Sequence, residues 1–95
     1  SEKEFLLSVV AEQNGGAVYI HADDAGLQKL ESAIRDLRLH LTKGECDHDH
    51  FFTENWGGDD LTVSMLDSER KEGCQHVNHL EIYAWTDEWK KKHNL

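Results

Sequence analysis

The chain has 95 residues, of which 19 are acidic and 10 are basic, and its formal net charge is −9. This length fits one domain with one small core, so we expect residues 1–95 to form a single domain. The charge argues against nucleic acid or an anionic membrane surface as a partner, and it suits a basic partner. Plain solubility is the alternative explanation of the charge.

The location of the protein is predicted from two further features of the sequence. No apolar run reaches the roughly 18 residues that a membrane span needs. The start of the chain, "SEKEFLLSVVAEQ", lacks the basic segment and cleavage site of a signal peptide. We therefore expect a cytosolic protein, in which Cys46 and Cys74 are free thiols.

Two strand-like runs open the chain. Residues 5–13 and 17–22 are rich in strand-forming side chains, and they flank Asn14-Gly15-Gly16. Asn-Gly between two such runs is a strong signal for a β-hairpin. We therefore predict that these runs pair as antiparallel strands.

An amphipathic helix is predicted next. Asp23 or Asp24 can cap its first turn, and Gly44 is a typical stop. Apolar residues recur between these limits at spacings of three and four, which places them on one stripe of a helix. We expect this stripe to face a sheet: Leu27, Leu30, Ile34, Leu37 and Leu41.

Three more strands are predicted after Gly44. Residues 46–54 and 61–66 form a second hairpin around the turn "NWGGDD", residues 67–75 form a polar loop, and residues 76–85 form the last strand. A polar tail follows, which can form a final helical turn. The order β-β-α-β-β-β predicts an α+β fold, in which one helix covers one face of an antiparallel sheet of about five strands.

Strand alternation divides the predicted sheet into two faces. The side chains expected to face the core are Phe5, Leu7, Val9, Val18, Ile20, Leu61, Val63, Leu80 and Ile82. The opposite face is expected to carry Tyr19, His21, His79, Tyr83 and Trp85. An open sheet face that is both aromatic and polar is a candidate binding surface.

The stretch "CDHDHFF" carries the residues best suited to bind a metal ion. In a strand, Cys46, His48 and His50 share one face with Phe52, so the two histidines can hold one ion. Cys74 and His76 repeat the same spacing, and the two pairs could together bind zinc tetrahedrally if their strand ends were neighbours. Neither pair has the C-x2-C spacing of a zinc ribbon. The alternative is that these polar side chains decorate a strand edge.

The sequence offers little support for catalysis. It contains no glycine-rich phosphate loop, nucleophile elbow or H-E-x-x-H motif. Cys46 and His48 would point outward in parallel from one strand face, with nothing to supply an oxyanion hole. We therefore expect no enzymatic activity and no required cofactor.

Four stretches carry a resemblance to a known family: "IHADDAGLQKLESAIRDL", "DHDHFF", "WGGDDLTV" and "VNHLEIYAW". Over residues 18–85 the chain resembles the immunity protein family 32 of bacterial polymorphic toxin systems. The matching features are the "GLQKL" helix start, the strand around His50, the "GG" ahead of "LT" and the closing "YAW". The resemblance implies a small cytosolic α+β protein that binds and neutralises a toxin made by the same cell.

Such toxins are often nucleases with basic clefts, which an acidic inhibitor can fill with a few aromatic anchors. The residues predicted to contact the toxin are Trp56, Asp59, Asp60, Tyr19, His21, Tyr83 and Trp85. Two alternatives stay open. One is a small metal-binding module that uses the cysteine and histidine pairs. The other is a homodimeric structural domain, so the sequence leaves both a monomer and a homodimer possible.

Overall fold

The computed structural model describes residues 4–95, and the first three residues of the predicted domain lie outside this range. The helices and strands are β1 Leu7–Ala11, β2 Val18–Ala22, α1 Asp24–Thr42, β3 Asp47–Phe52, a 3-10 turn Glu54–Trp56, α2 Asp67–Lys71, β4 Gln75–His76, β5 His79–Ala84 and α3 Asp87–Lys92. The predicted α+β class with antiparallel strands is confirmed. The strands form two sheets, ordered β2-β1-β4 and β3-β5, instead of the single sheet that we expected.

The first hairpin forms as predicted. β1 and β2 are antiparallel, with Val9 opposite Ile20. The side-chain oxygen of Asn14 accepts a hydrogen bond from the amide of Gly16 at 2.8 Å. Gly15 has a φ of 73°, which is a left-handed conformation that glycine adopts without steric cost. The Asn-Gly-Gly sequence therefore fixes the turn locally.

The predicted limits of α1 are also confirmed. The carboxylate of Asp23 accepts hydrogen bonds from the amides of Gly26 at 2.9 Å and Leu6 at 3.0 Å. Asp23 therefore caps the helix and also ties its first turn to the residue before β1. After Thr42 the chain leaves the helix through Lys43, and Gly44 has a φ of 76°.

The predicted apolar stripe of α1 is partly confirmed: Leu37 is buried and Leu30 packs against the core, whereas Leu27 and Ile34 are 55% and 46% exposed. Gly26 and Ala33 complete the buried stripe. The first turn of the helix lies close to the residue before β1, and a Cβ atom built on Gly26 would be only 1.8 Å from the carbonyl oxygen of Leu6. Only glycine therefore fits at this contact.

The predicted second hairpin does not form. Residues 61–66 form no strand, and Leu61 makes only an isolated parallel bridge to Thr53. Thr62 instead makes two hydrogen bonds with Leu7 at the start of β1. The amide of Thr62 donates to the carbonyl oxygen of Leu7 at 2.7 Å, and the hydroxyl of Thr62 accepts from the amide of Leu7 at 3.0 Å. Val63, which was predicted to face the core, is 47% exposed. The predicted polar loop that follows contains α2.

The predicted last strand is two strands that belong to different sheets. β4 pairs with β1, and β5 pairs with β3. The chain crosses from one sheet to the other at Val77 and Asn78. The amide of Val77 donates to Val9 at 2.8 Å, and the oxygen of Asn78 accepts from Thr53 at 3.0 Å.

Both sheets contribute to one core beneath α1. Its buried members are Leu7, Val9, Ala33, Phe51 and Leu61, with Phe5, Ala22, Leu30, Val77, Leu80 and Ile82 packed around them. Val18 and Ile20 were predicted to lie in the core, but they are 63% and 50% exposed. They lie on β2, which is an edge strand of its sheet.

The second face of the first sheet is covered by the segment between Thr62 and Cys74. The hydroxyl of Ser8 donates to the oxygen of Ser64 at 2.5 Å, and His21 contacts Glu69 at 2.9 Å. In the part of the chain that the structure describes, the expected open face is therefore found on the second sheet and not on the first. Among residues 4–95, no helix combines the length and the apolar character that are needed to cross a bilayer.

Candidate functional site

The pair β3–β5 has one covered face and one open face. Phe51, Leu80 and Ile82 pack into the core. Side chains alternate along a strand, so the intervening residues point away from the core. The register pairs His48 with Tyr83, His50 with Glu81 and Phe52 with His79. We call this surface the histidine face and define it as His48, His50, Phe52, His79, Glu81 and Tyr83.

Aromatic rings cover most of the histidine face. The ring of Phe52 stacks on that of His79 with 4.4 Å between centroids, and His50 stacks beside both. His48 meets His50 edge-on at 4.8 Å. At the end of the face, Tyr83 stacks on Trp85, which lies outside it, at 6.1 Å. The result is a continuous band of rings along one side of the molecule.

Glu81 is the acidic centre of the histidine face. Its two carboxylate oxygens lie 3.5 Å from Nε2 of His50 and 3.5 Å from Nε2 of His79. The hydrogen bond from Tyr83 holds the pKa of Glu81 below its ordinary value; the three nearby histidines lower it further, while burial opposes them. The same hydrogen bond, together with burial and the charge of Glu81, raises the pKa of Tyr83.

The aspartates of "CDHDH" cap an edge of β3. β5 lies on one edge of β3, and no strand of residues 4–95 pairs with the other. Three carboxylates accept hydrogen bonds from the backbone amides of alternate residues of β3. Asp47 accepts from His48 at 2.8 Å, Asp49 from His50 at 2.9 Å and Asp60 from Phe52 at 3.0 Å. Alternate amides point to one edge, so these bonds occupy donors that another strand would otherwise use.

The 3-10 turn places Trp56 beside the histidine face. Trp56 is 60% exposed, and its ring lies 6.4 Å from that of His79. Asp59 is exposed, whereas Asp60 is half-buried and bound to Phe52. The loop packs tightly on β3, because a Cβ atom on Gly58 would lie 2.5 Å from Cβ of Phe52. The turn therefore presents Trp56 and Asp59, while Asp60 has a structural contact.

An apolar hollow adjoins the other end of the face, between α1 and β5. Its volume is about 260 Å³. The lining residues are Ile34, Leu37, Arg38, Leu41, Ile82, Tyr83, Ala84 and Trp85. Because Ile34 and Tyr83 are both about half exposed, apolar surface continues from the histidine face onto the helix.

The structure separates the predicted cysteine and histidine pairs. Cys46 lies beside the start of α3, where its sulfur accepts the amide of Thr86 at 3.4 Å. Cys74 is buried next to β4, and His76 lies in β4 of the other sheet. The predicted four-residue metal site is therefore not assembled. Both cysteines are free thiols, as predicted.

Tyr19 and His21 also lie away from the histidine face. They belong to β2, in the other sheet. The hydroxyl of Tyr19 donates to Glu12 at 3.3 Å, and the charge of Glu12, followed by burial, raises the pKa of Tyr19. His21 contacts both oxygens of Glu69 at 2.9 Å. These two residues were predicted to share a surface with Tyr83 and Trp85, and that prediction is wrong because β2 and β5 are in different sheets.

Glu81 is the central residue that the sequence analysis missed. The predicted pairing of β3 with residues 61–66 left no reason to place Glu81 opposite His50. A signal was available, since Glu81 alternates with His79 and Tyr83 and must share their face. Phe52 was placed on the face of His48 and His50, but its stacking on His79 depends on the same pairing.

Comparisons with protein-family models, with curated proteins and with solved structures find no match to this chain.

Proposed function

We propose that the chain is an immunity protein, which binds a cognate bacterial toxin domain and neutralises it by direct contact. The observation that carries the proposal is the histidine face, together with the exposed Trp56 beside it. Tyr83 on this face is 55% exposed and Trp56 is 60% exposed. His48, His50 and Tyr83 are exposed, and the other side chains of the face are half-buried. Large exposed aromatic side chains that cluster are typical anchors of protein interfaces.

The acidic charge of the chain supports a basic partner for this surface. The chain carries a net charge of −9, and Asp59 is exposed next to Trp56. A basic cleft, such as the one with which a nuclease domain holds phosphates, would attract such a surface over a long range. Charge would then raise the association rate, and the buried aromatic anchors would slow dissociation.

The resemblance to the immunity protein family 32 supports the same proposal. Under this proposal, the protein acts in the cytoplasm of the cell that makes the toxin. It inhibits the toxin without a cofactor and without catalytic activity of its own. Inhibition follows from occupying the toxin surface that would otherwise meet its substrate.

The test is rescue of a toxin made in the same cell. The test needs a toxin gene immediately upstream of this gene, and the C-terminal domain of its product is expressed from a tightly controlled promoter, with or without the chain. We expect growth only when the chain is present. The double variant Trp56→Ala/Tyr83→Ala should fail to rescue. Val18→Ala is the matched control, since Val18 is 63% exposed on the other sheet. If the wild-type chain neither binds nor rescues, the immunity proposal is wrong.

A further inference from the structure

We propose that His48, His50 and Glu81 form a binding site for one divalent transition-metal ion of the zinc class. His48 and His50 are separated by one residue on β3, and Glu81 lies opposite His50 on β5. One ligand atom from each of the three side chains lies within 4.8 Å of the others. The site lies within one chain and does not depend on the proposed toxin partner.

The separation between His50 and Glu81 already suits a shared metal ion. Zinc bonds to nitrogen and oxygen are about 2.0–2.1 Å, so two ligand atoms at a tetrahedral angle lie roughly 3.4 Å apart. Nε2 of His50 and Oε2 of Glu81 are 3.5 Å apart. His48 is exposed and can approach by a rotation of its side chain. The backbone of the two paired strands stays in place during this rotation.

His79 can hold His50 in the form that binds metal. Nδ1 of His50 and Nε2 of His79 are 2.8 Å apart, which is a hydrogen-bond distance. In the proposed site, the Nδ1–H of His50 donates a hydrogen bond to Nε2 of His79, which leaves the lone pair of His50 Nε2 free for the metal ion on the side of Glu81. Histidines that bind metals usually donate their second ring N–H to a carboxylate, a carbonyl or a water, which fixes the tautomer and the ring orientation, and in this site the imidazole of His79 would take that place.

The set of ligands selects the class of metal. Two imidazoles and one carboxylate suit zinc, nickel or copper, whereas calcium and magnesium prefer sites made of oxygen atoms. His48 and His50 are both exposed, so a fourth coordination position faces solvent. Water or a donor atom of another molecule can fill that position.

The test uses the chain purified without a histidine tag and freed of metal by dialysis against a chelator. Zn²⁺ is titrated by calorimetry, and Co²⁺ is titrated by visible absorption, which reports tetrahedral coordination. We expect one equivalent of either ion to bind. His79→Ala should weaken Zn²⁺ binding by roughly 10–100-fold, which is typical for the loss of an outer partner. His48→Ala and Glu81→Gln should weaken it more than His79→Ala does.

His40→Ala is the matched control, because the His40 ring also faces two carboxylates, those of Glu45 and Asp47, each at 3.4 Å. It should bind Zn²⁺ as the wild type does. Should a site variant fail to fold, NMR of the wild type gives the answer: the ring signals of His48 and His50 should shift up to one equivalent of Zn²⁺, while those of His40 stay. Absence of stoichiometric binding, or equal affinity in the wild type and the folded His48→Ala variant, would overturn the site.

Discussion

The carboxylate of Asp60 accepts the backbone amide of Phe52 at 3.0 Å, whereas Asp59 beside it is exposed. Removing one partner of such a bond leaves a donor on the strand edge unsatisfied, so Asp60→Ala should lower the free energy of unfolding by about 1–3 kcal/mol. Asp59→Ala should change it by less than about 0.5 kcal/mol. Both variants remove one negative charge, so their difference in urea melts isolates the hydrogen bond. Equal effects would contradict this role for Asp60.

The helix offers a second matched pair of substitutions. Leu37 is 5% exposed and Leu39, two residues later on α1, is 52% exposed. Leu37→Ala leaves a cavity in the contact with the sheets and should cost about 2–5 kcal/mol. Leu39→Ala should have a much smaller effect on the free energy of unfolding, because its side chain is already in water. Similar losses in denaturant melts would show that the helix is rotated from the position described here.

Some elements of this fold could be predicted from the sequence, and others could not. The first hairpin, the limits of α1 and the alternation along β3 depend on local signals, namely Asn14-Gly15, the cap at Asp23 and a period of two. The orientation of α1 depends on the close contact of Gly26 with Leu6 and on the burial of Ala33 in the core, which involve residues distant in sequence. Gly26, Leu30, Ala33 and Leu37 are spaced as one helical stripe, but two of them are small, so larger apolar residues nearby hide the pattern.

The pairing of the strands could not be predicted from local signals in the sequence. Residues 61–66 alternate and follow two glycines, so they look like the partner of β3. Two contacts distant in sequence decide otherwise. Thr62 bonds to Leu7, and Thr53 bonds to Asn78, with the hydroxyl of Thr53 also donating to the Asn78 side chain at 2.7 Å. β5 therefore becomes the neighbour of β3, and Glu81 joins the histidines.

The contact between Glu69 and His21 predicts a dependence of stability on pH. Glu69 is 6% exposed; burial, the largest influence, raises its pKa, but the amide of Leu66 and the side chains of His21 and His76 lower it overall. A carboxyl group with a lowered pKa in the folded state contributes stability above its unfolded pKa, about 4.3, and loses it as pH falls through the folded pKa.

Glu69→Gln should therefore be less stable than the wild type at pH 7, and the difference should shrink as the pH falls below about 4.3. Urea melts between pH 7 and pH 3 measure this difference. The control is Glu72→Gln, an exposed acid on the residue that follows α2. Its free energy of unfolding should match that of the wild type from pH 7 to pH 3. A difference for Glu69→Gln that stays constant with pH would mean that the contact does not contribute through its charge.

The last prediction concerns the kinetics of toxin binding, and the structure changes which residues should be altered. Because Asp60 is bound to Phe52, reversing its charge would disturb the strand edge, so Asp59→Lys is the cleaner substitution. It should slow association at low salt, and the effect should fade at high salt, where charges are screened.

Trp56→Ala and Tyr83→Ala should each speed dissociation, since loss of an interface anchor costs about 2 kcal/mol or more, which is roughly 30-fold in the dissociation constant. Val18→Ala should leave both rates unchanged, because its side chain belongs to the other sheet. Surface binding kinetics with the toxin domain used in the rescue test, at low and at high salt, measure all four variants. If Trp56→Ala, Tyr83→Ala and Asp59→Lys all retain wild-type rates while the chain still rescues growth, the toxin binds a surface other than the histidine face.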